Sequence, residues 1–390
     1  MKKDNFIPLS IPNLCGKEQE YVNQCFEDNF VSSVGPFVDQ FEKEFASFLE
    51  IENSTAVING TAALHLSLIL SDVKEGDEVL APNLTFIAPL NVIRYCGATP
   101  ILLDSEWDTL SLCPEDLENF LRENTEIKNQ SCINKKTGKI IKALIVVHVL
   151  GNSAKLGPIV NICKKYHLKL IEDASESLGA KYEGKHLGTL GDFGCFSFNG
   201  NKIMTTGGGG VLVCKNQNDS TKAKHLSTTA KVNGLEFIHD EVGYNYRMVN
   251  ILAAIGCGQL ENMPQFLKTK RENFKIYEEN LKEFNFGQLH SVKDFTQTNF
   301  WFYSLVLDSS NEEKRMQLIQ YLNDAGIQVR PIWALMEDLP MFKSCQTGNI
   351  TISREIYNRV INLPCSTSLT SLQVEKVVKV LKNYERLEAN

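Results

Sequence analysis

Apolar residues recur along the chain in two patterns, one with the period of a helix and one in short continuous runs. Between Gln40 and Gly210 the helical pattern occurs in FEKEFASFL and AALHLSLIL. The same part of the chain contains continuous runs rich in branched apolar residues, namely DEVLAP, TPILLD, ALIVVHV and LKLIED. Such runs are typical of parallel strands that are buried on both faces. Together they predict a doubly wound α/β unit with a mostly parallel central sheet.

The pattern changes after VLVCKN, which ends at Asn216. A polar stretch follows, and the segment GYNYRMVNILAAIGCGQLENM then has a helical period, which predicts a long helix from Tyr246 onward. Later helical segments alternate with the strand-like runs WFYSLVLD and IQVRPIW, as in a compact α+β domain. We therefore predict a large domain over residues 1–264, with an N-terminal arm, and a smaller α+β C-terminal domain over residues 265–390.

The composition is that of a soluble globular enzyme. Of the 390 residues, 43% are hydrophobic and 22% are charged. A net charge of -7, without a block of basic residues, argues against a nucleic-acid partner. No run resembles a signal peptide or approaches the roughly 18 apolar residues of a membrane span, so we expect a cytoplasmic protein without a membrane partner. The eleven cysteines contain no CxxC pair, which predicts reduced thiols and no bound metal.

The stretch CFSFNGNKIMTTGGGGVLV, from Cys195 to Val213, contains the residue that suggests the chemistry. Its lysine, Lys202, stands between an aromatic-rich run and four consecutive glycines. Lysine forms a Schiff base with an aldehyde, and pyridoxal phosphate is the commonest cofactor that requires one. Ligands of open α/β sheets bind at the carboxyl ends of the strands. If Lys202 holds this cofactor, then an acid, a phosphate site and an aromatic ring should follow other strands.

The sequence offers candidates for the acid and for the phosphate site. Asp173 ends the run LKLIED, where a carboxylate can keep the pyridine nitrogen protonated, and Glu176 lies three residues later. In NGTAALHL, Gly60 and Thr61 precede a helix whose first N–H groups point at an anion. Ser197, five residues before Lys202, offers a hydroxyl to the same phosphate.

The aromatic ring would come from Phe86 in NLTFIAP, and Gly207 to Gly210 would let the backbone turn tightly beside the cofactor. Each signal has a common structural alternative: a surface lysine, a helix cap, a core ring or a flexible turn. Their joint presence, mostly at strand ends, favours a cofactor site. Candidates for contact with a substrate are His148, Trp301, Arg330 and Trp333, for which packing in the core or in a dimer interface is the alternative.

With these motifs the chain resembles the DegT family of pyridoxal phosphate-dependent nucleotide-sugar aminotransferases. The resemblance runs nearly end to end, through IPLSIPNLCGKE, NFVSSVGPFVDQFEKEFA, NGTAALHL, NLTFIAP, HVLGN, EDASESLGA, FSFNGNKIMTTGGGG, GYNYRM and VRPIW. It implies the type I, or aspartate aminotransferase, fold. It also implies roles for the residues named above and for Ala62. Lys202 would be the Schiff-base lysine, Asp173 would lie at the pyridine nitrogen, Phe86 would lie near the ring, and Thr61, Ala62 and Ser197 would bind the phosphate.

The resemblance implies partners as well. It suggests L-glutamate as the amino donor and a nucleotide-linked 4-keto-6-deoxy sugar as the acceptor. It further suggests a homodimer with shared active sites, in which Asn245 of GYNYR reaches the phosphate of the neighbouring subunit.

Three positions depart from the pattern common in the family. Glu176 stands where many members have glutamine, Gly207 to Gly210 stand where many have GEGG, and Glu337 stands near a frequent histidine. The first two departures resemble the branch that makes nucleotide-linked 4-amino-4,6-dideoxy-N-acetylglucosamine for bacillosamine, legionaminic acid or related glycans. The stretches IPLSIPN and VSSVG favour a UDP sugar over the GDP sugar of perosamine synthases. The stereochemistry at C4 and the glycan pathway stay open.

Functions of three other classes remain as alternatives. A sugar dehydratase on the same fold would lack the Schiff-base lysine, whereas Lys202 is present. A nicotinamide-dependent oxidoreductase needs GxGxxG after its first strand, whereas the glycine run here lies deep in the chain and precedes a strand. A sensory protein with a vestigial cofactor site is the third.

Overall fold

The computed structural model describes residues 6–290 and 295–388. Its α-helices are α1 (Glu18–Glu27), α2 (Pro36–Phe48), α3 (Gly60–Leu70), α4 (Ala88–Tyr95), α5 (Pro114–Asn124), α6 (Leu156–Lys165), α7 (Gln217–Ser227), α8 (Asn250–Glu261), α9 (Met263–Asn280), α10 (Glu312–Asp324), α11 (Thr351–Arg359) and α12 (Ser371–Glu388). Short 3-10 turns occur at Val149–Gly151 and Met336–Asp338.

The strands fall into one large sheet and three smaller groups. In chain order they are β1 (Thr55–Val57), β2 (Glu78–Pro82), β3 (Thr99–Leu103), β4 (Thr125–Lys128), β5 (Ser131–Asn134), β6 (Ile140–Val147), β7 (Lys169–Asp173), β8 (Lys181–Tyr182), β9 (Lys185–His186), β10 (Phe193–Ser197), β11 (Gly210–Cys214), β12 (Lys231–Asn233), β13 (Ile238–His239), β14 (Gly287–Leu289), β15 (Thr296–Gln297), β16 (Tyr303–Leu307), β17 (Arg330–Pro331), β18 (Gln346–Thr347) and β19 (Val360–Leu363).

The large sheet has the order β1-β11-β10-β7-β6-β2-β3-β18, and the hairpin β4-β5 extends it beside β6. Its centre is parallel from β10 through β18, while β11 pairs antiparallel with both β1 and β10. Because parallel strands end at the same edge, the segments after β2, β6, β7 and β10 all emerge together. The predicted α/β class and mostly parallel central sheet are confirmed.

A second, antiparallel sheet has the order β14-β16-β19-β17. The first residues that the structure describes also reach this region, since Ile7 pairs with Ile327 and the Leu9 N–H donates to Gln328 Oε1 at 3.0 Å. The proposed boundary between residues 264 and 265 falls in the first turn of α9. The division into two domains stays a prediction, and its outer ends lie outside the described residues.

Apolar side chains fill both faces of the large sheet. One core joins α3 and α4 to the sheet and continues into the small sheet, with Leu66, Ile145 and Ile171 on the large-sheet side. A second core packs Phe41 and Phe45 of α2 on Phe196 and Phe198 beside α8, and a third lies under α5 and α6. Helices on both faces explain why the central strands are continuous apolar runs.

Two predicted elements differ from the structure. The helix expected from Tyr246 begins at Asn250, because Tyr244 and Tyr246 donate their backbone N–H groups to Leu226 and Ser227 and are therefore extended. In IQVRPIW only Arg330–Pro331 pairs as a strand.

The eleven cysteines are free thiols, six of them buried. No helix among the described residues is long and apolar enough to cross a membrane.

Candidate active site

A cavity of about 690 Å³ lies where the carboxyl ends of the large-sheet strands face the small sheet. The large-sheet side contributes the loops after β1, β2, β7 and β10, and the small-sheet side contributes β17 and the segment before β16. The predicted site residues that line this cavity are Gly60, Thr61, Phe86, Asp173, Glu176, Ser197, Lys202, Trp301, Arg330 and Trp333.

Lys202 lies in the turn between β10 and β11, where its backbone N–H donates to Asn199 O at 3.0 Å. Its Nζ lies 3.5 Å from Glu176 Oε1 and 4.1 Å from the centre of the Trp301 ring. The side chain is 14% exposed, and this exposure is toward the cavity. The amine is therefore held between an acid and an aromatic face while it remains accessible.

Asp173 is the last residue of β7, at the centre of the sheet. The Ser175 N–H donates to its Oδ1 at 3.1 Å. Burial raises the pKa of the Asp173 carboxyl, while the hydrogen bonds from Ser175 and the charge of Lys202 oppose that rise. A carboxylate in this position can hold a proton on a ring nitrogen placed in the cavity.

Glu176 is the second acid of the site and is almost fully buried. The Leu150 N–H donates to its Oε2 at 2.9 Å, and Leu150 itself has a φ of 58°. Burial raises the pKa of Glu176 to about 7, although the charge of Lys202 and the Leu150 N–H favour the ionised form. The glutamate thus interacts with Lys202 directly.

The first turn of α3 opens onto the same cavity. Asn59 caps this helix, because its Oδ1 accepts the Ala62 N–H at 2.8 Å, so the N–H groups of Gly60 and Thr61 have no partner within the helix. A Cβ on Gly60 would lie 2.7 Å from Ser197 Cβ. Glycine at this position therefore brings the helix terminus close to the end of β10.

The glycine run after Lys202 packs against that terminus. Gly207 and Gly209 have φ values of 83° and 81°, which favour glycine. A Cβ on Gly210, the first residue of β11, would lie 2.7 Å from Gly60 N. The run is thus a tight connection that brings β11 against α3.

Three predicted site residues do not line the cavity. His148 is fully buried, and its Nε2 pairs with Glu172 Oε2 at 2.9 Å. The Ala62 N–H is taken by the Asn59 cap. Asn245 is exposed and forms a backbone bridge with Thr228. Any role of these residues in binding stays a prediction.

Residues 12–382 match the DegT/DnrJ/EryC1/StrS aminotransferase family. The chain belongs to this family. It is 36% identical over 379 residues to the GDP-perosamine synthase of Vibrio cholerae, covering 97% of this chain and 99% of that protein.

A second relative is more distant, the UDP-4-amino-4,6-dideoxy-N-acetyl-beta-L-altrosamine transaminase of Campylobacter jejuni. The two chains are 27% identical over 377 residues, which is 96% of each. The crystal structure of the aminotransferase TlmJ from Streptoalloteichus hindustanus superposes with a TM-score of 0.89 at 24% identity, covering 99% of this chain and all of that one. This member of the DegT family is therefore a pyridoxal phosphate-dependent sugar aminotransferase with the predicted fold.

The residues of the cavity fit this family's cofactor. The free N–H groups of the α3 terminus and the Ser197 hydroxyl form an anion site, and Lys202 and Asp173 offer an amine and a carboxylate to the same space. Thr85 Oγ1, also in the cavity wall, is buried without a hydrogen-bond partner among the described residues. An incoming oxygen or nitrogen would satisfy it.

Several lining residues were missed in the sequence. Thr85 and Ser175 adjoin predicted residues, and their positions after strands could have indicated them. Leu9, Ser10 and Gln328 carry no local signal, because contacts between distant parts of the chain bring them to the cavity. Glu337, near the position of the family's histidine, pairs with Arg354.

Proposed function

We propose that this protein transfers the amino group of L-glutamate to C4 of a UDP-linked 4-keto-6-deoxy-N-acetylhexosamine, for bacterial surface glycan synthesis. The observation that carries the proposal is the grouping of Lys202, Asp173 and Glu176 in one cavity. Lys202 Nζ lies 3.5 Å from Glu176 Oε1. Amino transfer needs a base that removes a proton from one carbon and delivers it to another, and a lysine amine beside an acid can do both.

Each residue near the cofactor has a distinct task. When bound, pyridoxal phosphate supplies an aldehyde for Lys202 and a ring that withdraws electrons from the carbon being deprotonated. Lys202 Nζ moves the proton from the donor Cα and, in the second half of the reaction, returns a proton to C4 of the sugar. Asp173 holds the proton on the ring nitrogen.

The remaining groups bind and orient. The α3 terminus, Thr61 and Ser197 hold the phosphate. Phe86 covers the ring from the outer edge of the cavity, where it is half exposed. Trp301, Arg330 and Trp333, which line the cavity on the small-sheet side, contact the sugar nucleotide, and Arg330 offers a positive charge to its diphosphate.

The choice of UDP rests on the stretches IPLSIPN and VSSVG, which resemble the N-acetylhexosamine enzymes, whereas the Glu176 pattern is shared with GDP-perosamine synthases. The Campylobacter jejuni relative, whose name specifies a UDP-linked N-acetyl amino sugar, supports the same class of acceptor. The proposed product is UDP-2-acetamido-4-amino-2,4,6-trideoxyglucose with an equatorial amine, as a precursor of bacillosamine, legionaminic acid or a related glycan.

A second candidate is the amination of a GDP-4-keto-6-deoxyhexose, as by a perosamine-type synthase. It is favoured by the 36% identity to the Vibrio cholerae enzyme, which exceeds the identity to the Campylobacter jejuni transaminase. Both candidates share the chemistry of Lys202 and differ in the nucleotide and in the substituent at C2.

We also propose that two copies of the chain share their active sites. Asn245 is exposed and outside its own cavity, and the hairpin that precedes it exposes Leu235, Phe237 and Val242. Apolar side chains so exposed are typical of surfaces that a partner covers. With a second copy docked there, we expect Asn245 to reach the neighbouring phosphate site, as the family resemblance implies.

One experiment separates the candidates. Purified enzyme loaded with cofactor is given L-glutamate and the UDP, GDP and dTDP forms of 4-keto-6-deoxy sugars, and kcat/KM is measured for each. We expect the UDP N-acetyl sugar to be preferred. A tenfold preference for the GDP sugar, about 1.4 kcal/mol of transition-state discrimination, would replace the first candidate with the second. Failure to aminate any keto sugar would reject both.

A further inference from the structure

Lys270 is a lysine in the middle of α9 whose side chain is only 1% exposed. Its Nζ donates to Trp301 O at 2.9 Å and also to Cys365 O. Its own backbone carbonyl accepts the Tyr303 hydroxyl at 2.9 Å. Within residues 6–290 and 295–388, no carboxylate oxygen lies within ion-pair distance of this Nζ.

A lysine without a counterion is costly in this position. Buried lysines are rare unless they are paired, since burial penalises the charged form. Burial accordingly lowers the pKa of Lys270, and the neighbouring Cys365 opposes the shift. A side chain kept here at such a cost is expected to hold its two carbonyl partners in place.

One of those partners belongs to the residue that contacts Lys202. The Trp301 ring face lies 4.1 Å from Lys202 Nζ, and the indole Nε1 donates to Asn201 O at 2.9 Å. Trp301 therefore contacts the Lys202 amine through its ring and the preceding peptide through its indole nitrogen. Lys270 holds the backbone from which that ring projects.

The other partner fixes the N-terminal arm. The Cys365 N–H donates to Leu9 O at 2.8 Å, and the Ser10 hydroxyl donates to Asn201 O at 3.0 Å. The Asn201 carbonyl thus accepts hydrogen bonds from Trp301, which Lys270 contacts directly, and from Ser10, whose neighbour Leu9 is bound by Cys365.

We propose that Lys270 is a positioning residue that acts on Lys202 through Trp301, orienting the amine for condensation with an aldehyde. The proposal rests on the role of Lys202 in the proposed function. Condensation forms a carbon–nitrogen double bond at Nζ and releases one water molecule, so its rate depends on the orientation of Nζ. Binding of the phosphate group at the α3 terminus and Ser197 does not depend on the orientation of Nζ.

The test uses two probes on cofactor-free protein. Pyridoxal phosphate condenses with Lys202, whereas pyridoxamine phosphate has no aldehyde and reports binding alone. In Lys270→Met we expect the rate of condensation, followed by absorbance, to fall about tenfold, because small misplacements of reacting groups carry large rate penalties. The dissociation constant of pyridoxamine phosphate should change less than about twofold, or under 0.5 kcal/mol. A general loss of structure would weaken both.

Two further variants complete the test. Lys268→Met, an exposed change two residues away on α9, should leave both measurements unchanged. Trp301→Leu should reproduce the slow condensation, and the double variant should be no slower than the slower single variant, because both act through one contact. Lys270→Arg, which keeps N–H donors for the two carbonyls, should retain much of the wild-type rate.

Two results would overturn the proposal. One is that Lys270→Met reduces the rate of condensation and the affinity for pyridoxamine phosphate by the same factor. The other is that Trp301→Leu condenses with pyridoxal phosphate at the wild-type rate. The second result decides the matter even if Lys270→Met does not fold. If the wild-type protein does not condense with pyridoxal phosphate at Lys202, the proposed function fails instead.

Discussion

The two sides of the cavity are built in different ways. On the large-sheet side, Asp173 ends a central parallel strand, and Glu176 and Lys202 follow the ends of two such strands. All three can ionise, and burial raises the pKa of both acids. On the small-sheet side, Trp301 precedes β16, while Gln328, Arg330 and Trp333 lie in one segment around β17, and Leu9 and Ser10 belong to the arm. Of these six residues, only Arg330 is charged.

This difference suggests a division of labour. Groups that move or hold protons need fixed, buried positions, which the ends of central strands provide. Groups that recognise a large substrate can lie on a separate, antiparallel sheet, where changes in sequence leave the proton-moving groups undisturbed. Damage to the first side should therefore reduce kcat, and damage to the second should raise KM. The following predictions test that contrast, from the largest effect to the smallest.

Removing the Lys202 amine should have the largest effect. Lys202→Ala removes both the covalent partner of the cofactor and the base, so kcat should fall by at least about a thousandfold. Folding should persist, and circular dichroism and binding of pyridoxamine phosphate should stay near wild type. Lys164→Ala, an exposed change on α6, is the control. Retention of more than about a thousandth of kcat would remove Lys202 from the mechanism.

Mixing two inactive variants tests whether the site is shared. If Asn245 serves the neighbouring subunit, a mixed dimer of Lys202→Ala and Asn245→Asp contains one site without either change. Equal mixing should then restore about a quarter of wild-type activity, since half of the dimers are mixed and each has one intact site. Mixed dimers isolated with two affinity tags and found inactive would place Asn245 outside the shared site.

Arg330→Ala tests the small-sheet side. Arg330 lines the cavity, and loss of its charge should raise KM for the sugar nucleotide about tenfold, with kcat changed less than about threefold. Arg271→Ala, an exposed arginine on α9, controls for net charge. A kcat loss as large as that of Lys202→Ala would contradict the division between the two sides.

Glu176→Gln should have the smallest effect on activity, because glutamine can still accept the Leu150 N–H. Stability should respond to pH instead. Folded Glu176 keeps its proton up to about pH 7, while the unfolded chain releases it near the ordinary value of 4.5. The folded state therefore binds the extra proton between these values, and wild-type stability falls as the pH rises through them.

Compared with Glu176→Gln, the free energy of unfolding of the cofactor-free wild type should fall by up to about 3 kcal/mol between the two pKa values of Glu176. Urea unfolding at pH 4.5 and 7.5 measures it. A pH-independent difference between the two proteins would show that the buried carboxyl is ionised throughout.

The same contrast explains what could be predicted from the sequence. Asp173 ends the run LKLIED and Phe86 follows the run DEVLAP, both of which are predicted as strands, and the ends of parallel strands converge at one edge of the sheet. The direction in which a side chain points at the end of a strand could not be predicted from these runs. His148 follows β6 but points to Glu172, on the other face from Asp173, because successive residues of a strand alternate.

Contacts between residues that are distant in the sequence could not be predicted from it. No local sequence pattern predicts that Lys202 contacts Trp301, or that Leu9 contacts Gln328 and Cys365. These pairs form only when the two sheets and the N-terminal arm pack together. The predicted start of α8 is wrong because the tyrosines of GYNYRM fit a helical period. In the structure their backbone N–H groups donate to carbonyls at the end of α7, so this segment is extended. The roles of individual site residues stay predictions.

The position of Leu9 has a consequence for biosynthesis. Its N–H is held by Gln328 and its C=O by Cys365, which lies 356 residues further along the chain. On the ribosome, Leu9 is made long before these partners and has no place to bind until the segment around Cys365 has been synthesised. The large sheet can form earlier, as domains do during synthesis. A truncated product that stalls before Cys365 would thus expose its lysine and acids in an open cleft, without the wall that surrounds the amine.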